Sequence, residues 1–585
     1  MMGSRLVIGL DYGCTFTGVA FCETSDTSVA EKIIEVIQDW PSCHTIVGTK
    51  DQVPSEISYT EDGIVYGALI PPNVQRHIWT KLELDTPQLE DPAKLSNVNG
   101  TQDSAVQVVS DFLAEVKVHL VKNLDRRYGR ELWKTLPITL VVTVPAVWSD
   151  AAEDRTLDAV RQAGFNNSGF PQLKRVVTIT EPEAAAIYTI QSLRGGIQDK
   201  QFAIGDGFIV CDMGGGTVDL ISYRVAELEP TILEEATVGG GDKCGGTFVD
   251  RAFIRWLERR LGTVDFAKIA GCRSEELPHT SMSVKLGKMV QDFVLGAKGC
   301  FSGKQKNYMR LPPPLSAIEE DSLRGIIDGE ILITPNDMED MFGFSLRRTY
   351  ELLLEQMKQA RLSGKVQINY IVLVGGLAES PYMFDKIQTF AEGHGLQAIR
   401  PPNAWSSIVR GAVVKGLEGG GRAQIKNRKC RRHYGTACSY PFRPSKHQET
   451  DGYICSFTGT KWARYQVSWM LKKGQDLSTN TDTYAKMSMN DQFWSQDKPS
   501  ASVDLLASDE DRAPQRSKDK GVYTVATLNV DLSVVPRSAF VRQYSPAGVM
   551  YYELTYDIEL SVQSSLEYSI LVNGIRYGSV TAKYT

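Results

Sequence analysis

The fold is decided by the stretch of residues 5–21, which reads RLVIGLDYGCTFTGVAF. An apolar run meets Asp11, a turn follows at Gly13, and a second apolar run resumes at Gly18. Two short apolar runs on either side of a glycine turn are typical of buried strands joined in a hairpin. The stretch therefore predicts a β-hairpin whose first strand ends in a carboxylate.

The same arrangement returns in residues 208–223, FIVCDMGGGTVDLISY. An apolar run meets Asp212, the glycine turn ends in Thr217, and a second apolar run follows. A third apolar run, residues 370–374, also ends in two glycines. Because segments with helical character lie between these strands, the repeated pattern predicts an α/β fold with a duplicated, two-lobed core.

The composition changes near residue 420, where a basic run occupies residues 422–432. Its simplest interpretation is a solvated connector, and the alternative is a nuclear-localisation or anion-binding signal. Residues 495–520 are polar and charged, and we expect a long loop there. The rest of the C-terminal part alternates between apolar and polar side chains, which predicts a β-rich module. The clearest examples are residues 528–534, residues 552–562 and the Asn573-Gly574 turn.

These patterns predict five segments. They are a first lobe (1–190), a second lobe (191–380), a return segment that closes the core (381–420), a basic linker (421–433) and the β-rich module (434–585). We expect the linker to join the core and the module loosely, because few apolar contacts would cross it.

Bulk composition excludes several classes of protein. The chain has 585 residues, of which 42% are hydrophobic and 23% charged, as in ordinary globular proteins. A net charge of -6 argues against a nucleic-acid partner, and the absence of a long apolar run argues against a membrane partner. Ten cysteines without a Cys-x-x-Cys pair indicate reduced thiols and a cytoplasmic location, and the basic run is compatible with nuclear entry.

The glycine turns carry the chemistry. A polyphosphate is bound by backbone N–H groups that converge on a small space, and side chains would obstruct that approach. The hairpins at Gly13 and Gly214–Gly216 can each supply such donors, with hydroxyl donors from Thr15 and Thr217. Asp11 and Asp212 are placed to hold the water shell of Mg²⁺. The sequence thus predicts a site for ATP with Mg²⁺ between the two lobes.

A simpler interpretation is that each glycine turn only closes a tight hairpin. A single Asp-x-Gly turn would favour that interpretation, but two such turns joined by a third at Gly375-Gly376 favour a phosphate site. The sequence has no Gly-x₄-Gly-Lys-Ser/Thr motif and no Gly-x-Gly-x-x-Gly after these strands, so neither a P-loop nor a dinucleotide-binding fold is indicated.

Five motifs resemble those of the heat shock protein 70 family, in that family's order. Residues 8–15 (IGLDYGCT) and 212–219 (DMGGGTVD) resemble its two phosphate loops, and residues 371–376 (IVLVGG) its adenosine loop. Residues 142–146 (VTVPA) and 181–186 (EPEAAA) resemble its two connecting segments. The resemblance implies an actin-like, ribonuclease H-like ATPase core, and it fits a divergent branch that lacks the usual peptide-binding half.

The resemblance also implies roles for individual residues. Glu181 matches the acid that positions or deprotonates the attacking water, and Lys81 the lysine that reaches the γ-phosphate; the alternatives are a helix N-terminal charge and a surface lysine. Asp212 is placed in both the catalytic and the metal set, and Asp219 matches a second carboxylate near the metal, bound through water. The remaining nucleotide contacts that it implies are Cys14, Phe16, Gly245, Gly246, Lys298 and Leu377.

Three departures from the family pattern stand out. Cys14 replaces a threonine that donates to a phosphate, and a thiol is a weak donor. Glu153 replaces an arginine that pairs with the proline matched here by Pro145, and Leu295 replaces an acid three positions before Lys298. The C-terminal part shows no apolar linker followed by an acidic turn, no long lid helix and no acidic terminal tetrapeptide.

The resemblance implies an ATP-binding, weakly ATP-hydrolysing protein whose lobes close on the nucleotide, as in a chaperone that acts on client or partner proteins. One alternative is a nucleotide-sensing scaffold with little hydrolysis. Others are a sugar- or acetate-kinase-type phosphotransferase and a filament-forming actin relative. Need for a small-molecule acceptor would indicate the kinase, and ATP-dependent light scattering would indicate the filament.

Overall fold

The computed structural model describes residues 4–24, 33–43, 50–85, 104–146, 148, 150–193, 202–228, 231–418, 425–478, 484–562 and 566–581. The chain divides into two compact units, Met1–Arg422 and Ala423–Thr585. The first unit contains the three glycine turns, and the second is built from strands.

The first lobe is a sheet with the strand order β3-β2-β1-β7-β8. β1 and β2 are antiparallel, whereas β1, β7 and β8 run parallel. Continuous apolar runs form β1 and β7 because both faces of a parallel sheet are covered. The bounds are β1 (Arg5–Tyr12), β2 (Phe16–Thr24), β3 (Glu35–Val36), β4 (Val53–Pro54, paired with β2), the hairpin β5 (Ile57–Thr60) and β6 (Gly63–Tyr66), α1 (Thr80–Glu83), α2 (Ala105–Tyr128), β7 (Ile138–Val144), α3 (Asp150–Gln162), β8 (Leu173–Thr180) and α4 (Glu181–Ser192).

The second lobe repeats this topology. Its strands lie in the order β11-β10-β9-β16-β17, with β9 antiparallel to β10 and parallel to β16. The bounds are β9 (Gly207–Met213), β10 (Val218–Glu227), β11 (Ile232–Glu235), β12 (Gly240–Asp242, paired with β10), α5 (Gly246–Leu261), α6 (Thr263–Ala270), α7 (Val284–Asp292), a π-helical turn (Phe293–Lys298), the small sheet of β13 (Asn307–Arg310), β14 (Ile326–Ile327) and β15 (Glu330–Ile333), α8 (Pro335–Ser363), β16 (Ile368–Val374), α9 (Pro381–Gly393) and β17 (Gln397–Ile399).

The predicted α/β duplication is thus confirmed strand by strand. Each lobe has its own core, formed where helices cover its sheet. Phe112 and Leu113 of α2 are buried in the first, and Phe253 and Leu257 of α5 in the second.

The return of the chain to the first lobe begins later than expected. α9 and β17 belong to the second lobe, because β17 pairs with β16 in its sheet. Only α10 (Ser407–Leu417) lies against the first lobe: a Cβ on Gly9 of β1 would lie 2.8 Å from the carbonyl oxygen of Val409. The expected boundary at residue 380 is therefore too early, and that at residue 190 falls inside α4.

The second unit contains two sheets of antiparallel strands that enclose a common apolar core. One has the order β20-β21-β19-β24-β25, and the other β23-β27-β28-β29 with β26 also on β27. The bounds are β18 (Ile425–Lys429), β19 (His433–Pro441), β20 (Gly452–Ile454), β21 (Lys461–Leu471), β22 (Asp476–Ser478), β23 (Tyr484–Trp494), β24 (Ser500–Ser508), β25 (Val522–Asp531), β26 (Val541–Tyr544), β27 (Met550–Val562), β28 (Leu566–Val572) and β29 (Ile575–Thr581).

Two expectations for this unit need correction. The predicted loop 495–520 contains β24, whose inward residues Ala501, Val503 and Leu505 are buried, so apolar alternation outweighs the polar composition. Residues 425–429 of the predicted linker form β18, which pairs with β22, and Arg432 pairs with Asp509. This part is therefore not a solvated connector, and residues 421–424 lie outside the described residues. The Asn573-Gly574 turn joins β28 to β29, as predicted.

Candidate nucleotide site

The two hairpin turns are closed by equivalent hydrogen bonds. The N–H of Gly13 donates to the carbonyl of Phe16, and that of Gly214 to the carbonyl of Thr217, each at 3.0 Å. These two N–H groups are thus used inside the turns and are not the phosphate donors that the sequence led us to expect. Within the described part of the chain, no backbone carbonyl accepts from the N–H of Cys14, Thr15, Gly215 or Gly216, so these four groups remain for a ligand.

The turns of the two lobes touch each other. A Cβ on Gly215 would lie 2.9 Å from Cβ of Thr15 and 3.0 Å from its Cγ2, and closer still to its hydroxyl oxygen. A Cβ on Gly216 would lie 3.7 Å from that of Cys14, which is an ordinary contact. The hydroxyl of Thr217 donates to Asp219 (2.7 Å), so it is not available as a phosphate donor. A side chain at position 215 would therefore push against the turn of the first lobe.

The third glycine turn meets the acidic end of β9. Gly375 has φ +88°, and a Cβ there would lie 2.5 Å from Oδ1 of Asp212. Gly376 lies against the indole of Trp405, which also contacts Phe16 edge-on with ring centroids 5.7 Å apart. Leu377 is only 4% exposed and packs into the core of the second lobe instead of lining the cleft.

Gly245 and Gly246 support the second turn. Their N–H groups, at the start of α5, donate to the carbonyls of Gly216 (3.2 Å) and Gly214 (3.0 Å). A Cβ on Gly245 would lie 2.6 Å from the carbonyl oxygens of Gly214 and Gly215, so no larger residue fits. The Nζ of Lys298, at the end of the π-helical turn, donates to the carbonyl of Gly246 and pairs with Asp250 (2.7 Å). Its charge is already balanced within the second lobe.

Four carboxylates converge beneath the turns. Asp212 and Asp219 face each other across β9 and β10. Burial, reinforced by the charge of Glu181, raises the pKa of Asp11 to about 6, and burial raises that of Asp219 to about 6 as well. The pKa of Asp212 is raised well above its ordinary value by burial and by Glu181, Asp219 and Asp11. Burial is the largest cause of all three shifts, and the charges of neighbouring carboxylates add to it.

Lys81 is the cation of this cluster. Its ammonium pairs with Glu181 and lies 5.6 Å from the ring centroid of Trp148. Burial disfavours its charge, but the neighbouring charge of Glu181, together with that of Asp11, outweighs burial and raises its pKa. The structure thus brings together Lys81 and Glu181, two residues that the family resemblance assigns to the site.

The turn that carries Lys81 is fixed from two sides. The hydroxyl of Thr80 shares a 2.7 Å hydrogen bond with that of Tyr12 on β1. Nε of Arg155 on α3 donates to the carbonyl of Leu84 at 2.6 Å.

The carboxylate of Asp11 is held by a neighbouring strand. The hydroxyl of Thr143 on β7 donates to its Oδ1 at 2.7 Å.

Trp148, Arg155 and Thr143 were missed from the sequence. Trp148 and Arg155 contact the Lys81 turn from distant parts of the chain, and no local sequence motif predicts such contacts. For Thr143 a signal existed: it lies two residues before Pro145 in a segment singled out as a motif, on the parallel strand next to β1.

The neighbourhood of Glu181 also holds a small cavity. Its volume is about 10 Å³, the space of roughly one water molecule. Glu181, Asp219, Pro145 and Gly239 are among its lining residues.

Burial raises the pKa of Cys14 to about 12, so its side chain is a neutral thiol.

The donor set decides which metal could be held. Among the described residues, no three His, Cys, Asp or Glu side chains are arranged to ligate an ion directly. The buried carboxylates are hard oxygen donors, and burial together with the charges of neighbouring carboxylates raises their pKa values. This combination fits an ion that keeps most of its own water, as Mg²⁺ does, and does not fit a zinc site.

Duplicated sheets whose glycine turns meet over buried carboxylates define the class of actin-like ATPase domains. The model of the Hsp70 protein family matches residues 90–418, more than half of the chain, and the chain belongs to that family. A model of a domain of unknown function (DUF8568) matches residues 428–576, the β-rich unit.

Several heat shock and chaperone proteins are similar to this chain. The chain is 22% identical to heat shock 70 kDa protein 12A of Mus musculus and to that of Homo sapiens, over 90% of this chain and 85% of each relative. It is 24% identical to the chaperone protein DnaK of Mycoplasmopsis synoviae (strain 53), over 71% of this chain and 60% of that protein. In the described segments, no helix combines the length and apolarity needed to cross a bilayer.

Proposed function

We propose that this chain binds ATP with a hydrated Mg²⁺ ion between its lobes and hydrolyses the ATP slowly to ADP and phosphate. The observation that carries the proposal is the meeting of three glycine turns from both lobes over one acidic cluster. Free N–H groups of Cys14, Thr15, Gly215 and Gly216 would receive the phosphates.

The charges of the cluster support the metal. Glu181 interacts electrostatically with Asp11, Asp212 and Asp219, and Lys81 is a cation that interacts with all four carboxylates. A hydrated divalent ion held by Asp11, Asp212 and Asp219 through its water would restore the balance and neutralise charge on the phosphates. Removal of Mg²⁺ would then leave four repelling groups and weaken ATP binding.

Two side chains suit the hydrolytic step. Glu181 borders a cavity of one-water size and can accept the proton of an attacking water molecule. Lys81 offers a buried ammonium for the charge that develops on the transferred phosphoryl group. In the resting arrangement these two side chains pair with each other.

The rate is expected to be low because of Cys14. A neutral thiol is a weaker donor than the hydroxyl expected at this position, so one phosphate contact is weakened. The same observation favours the second candidate function, a nucleotide-sensing scaffold that binds ATP and closes its lobes with almost no hydrolysis. In either case lobe closure is the switch, and client or partner proteins would bind differently to the open and the closed state, as in a chaperone.

We also infer a reducing, cytoplasmic location. None of the ten cysteines is in a disulfide, and two of them, Cys43 and Cys300, are exposed. Exposed free thiols persist where the compartment is reducing.

The test combines calorimetry with single-turnover phosphate release on wild type and Glu181→Gln. We expect wild type to bind ATP in a Mg²⁺-dependent way, and Glu181→Gln to bind equally well but turn over about 10²–10³-fold more slowly. Glu227→Gln, on the exposed end of β10, is the matched control and should behave as wild type. Absence of ATP binding by wild type would refute the proposal. Binding with equal, negligible turnover in both proteins would favour the scaffold.

A further inference from the structure

The segment that leads into Lys81 is attached to the opposite lobe. The N–H of Met282 donates to the carbonyl of Pro72 (3.0 Å), and the N–H of Arg76 to the carbonyl of Thr280 (3.2 Å). These bonds join residues 71–79 of the first lobe to residues 279–287 of the second. A Cβ on Gly287 would lie 2.5 Å from Cβ of Pro72, so Gly287 packs against the proline ring with no room for a side chain.

The attachment ends in a contact between two aromatic rings, next to the α1 turn that carries Lys81. The imidazole of His279 lies 5.2 Å from the indole of Trp79, centroid to centroid, at an interplanar angle of 51°. Nη2 of Arg251 lies 2.8 Å from Nδ1 of His279. A guanidinium can only donate, so Nδ1 accepts, and the ring is neutral with its proton on Nε2. Arg251 on α5 thereby fixes the orientation of His279 toward Trp79.

Trp79 itself holds an unfavourable backbone conformation. Its φ of +55° and ψ of 23° lie in the left-handed region, which a bulky side chain rarely adopts. Such a conformation persists only where surrounding contacts impose it. Trp79 is the N-cap of α1, and Lys81 is the second residue of that helix. A change in the backbone angles of Trp79 would redirect α1 and move the ammonium of Lys81.

We propose that Trp79 and His279 are positioning residues for Lys81, so that the ammonium reaches its working position only when the second lobe lies against the first. His279 supplies the contact from across the cleft, and Arg155 holds the other end of the turn at Leu84. Closure then does more than enclose the nucleotide, because it sets the geometry of the residue that stabilises the transferred phosphoryl group. This inference rests on the proposed ATPase function for its catalytic consequence.

The first measurement needs no nucleotide. The N–H groups of Leu82, Leu84 and Asp85 are bonded within the turn, to carbonyls of Trp79, Lys81 and Leu82. Hydrogen exchange of the full chain should show that His279→Ala, a change in the second lobe, deprotects these amides in the first lobe at least severalfold. Val284→Ala, an exposed position in the same part of the second lobe, is the control and should leave them unchanged. Unchanged exchange in His279→Ala would overturn the proposal.

The second measurement separates positioning from general stability. We expect His279→Ala and Trp79→Ala each to lower kcat by about 10- to 100-fold with little change in KM, since a displacement of about 1 Å can cost 10²-fold. Trp79→Phe keeps a ring for His279 and should recover most of the rate. The double variant should be no slower than the worse single one, because both changes break the same contact.

Other results would overturn the inference in distinguishable ways. A His279→Ala protein that releases nucleotide faster at unchanged kcat would show that the contact governs access and not Lys81. Additive effects of the two changes would show that they do not act through each other. Failure of wild type to bind or hydrolyse ATP would instead refute the proposed function, and the hydrogen-exchange result would still decide whether the second lobe fixes the α1 turn.

Discussion

Addition of one methyl group at Gly215 should weaken ATP binding by about 10- to 100-fold. The Cβ of Gly215→Ala would lie 2.9 Å from Cβ of Thr15 and 3.0 Å from its Cγ2, in the other lobe. Ordinary carbon contacts are about 3.5–4 Å, so the two turns must separate by about 1 Å. The free N–H groups of both turns would then no longer converge on one set of phosphates.

The magnitude follows from what that separation removes. A hydrogen bond to a charged group contributes about 1.5–3 kcal/mol, and a shift of this size disrupts at least one such bond. A loss of about 1.4–2.7 kcal/mol corresponds to the 10- to 100-fold rise in Kd. The change should alter binding far more than folding, because the clash is between lobes and not inside either core.

Calorimetric titration with ATP and Mg²⁺ is the assay, and the neighbouring glycine supplies the control. A Cβ on Gly216 would lie 3.7 Å from Cβ of Cys14 and 4.0 Å from Cγ2 of Thr15, both ordinary contacts, so Gly216→Ala introduces the same methyl group without a clash. Both variants should have the thermal midpoint of wild type. If Gly215→Ala and Gly216→Ala bound ATP equally well, the contact between the turns would have no part in phosphate binding.

Two further predictions concern stability. Gly411→Ala on α10 would place a Cβ 2.9 Å from Cα of Ala184, and nearer still to its carbonyl, so we expect a loss of about 1–3 kcal/mol by urea denaturation; Gly393→Ala on α9, where space is open, should cost nothing, and equal stability of the two would contradict the close helix contact. In the second unit, Arg516 donates two hydrogen bonds to the buried Asp451 (2.7 and 2.8 Å) and thereby lowers the pKa of that carboxyl. A lowered pKa stabilises the folded state fully above the ordinary carboxyl pKa of about 4, and this effect is lost as the pH falls from there through the lower pKa of the folded state. Arg516→Ala should therefore lower the urea midpoint at pH 7, and progressively less as the pH falls below about 4. A pH-independent loss would show that Arg516 contributes only packing.

Local patterns predicted the architecture well because each one reports a local cause. The apolar runs that end in Asp11 and Asp212 required buried strands, and their glycines required tight turns, so the duplicated hairpins could be located from sequence. The alternation in residues 552–562 likewise identified β27.

The errors have physical causes of two kinds. Backbone donors were assigned to Gly13 and Gly214 from residue type, yet the turn geometry itself consumes those N–H groups. In β24, the polar residues of the outer face dominate the composition and mask the alternation between polar outward and apolar inward side chains. Contacts such as that of Arg155 with Leu84 join distant parts of the chain, and nothing local distinguishes that arginine from its exposed neighbour Arg161.

The position of α10 has a consequence for synthesis on the ribosome. The helix that covers β1 is the last one of the first unit: Gly9 lies against Val409, and Arg5 donates to the carbonyl of Leu417. Translation proceeds at about 5–20 residues per second, so the interval between the synthesis of β1 and that of α10 is roughly 20–80 s. The strands β9 to β17 of the second lobe, by contrast, follow one another in the chain and can pair before α10 emerges. The nascent chain therefore leaves one apolar face of the β1–β2 hairpin uncovered during most of its synthesis, and we expect it to recruit chaperones of its own at that stage.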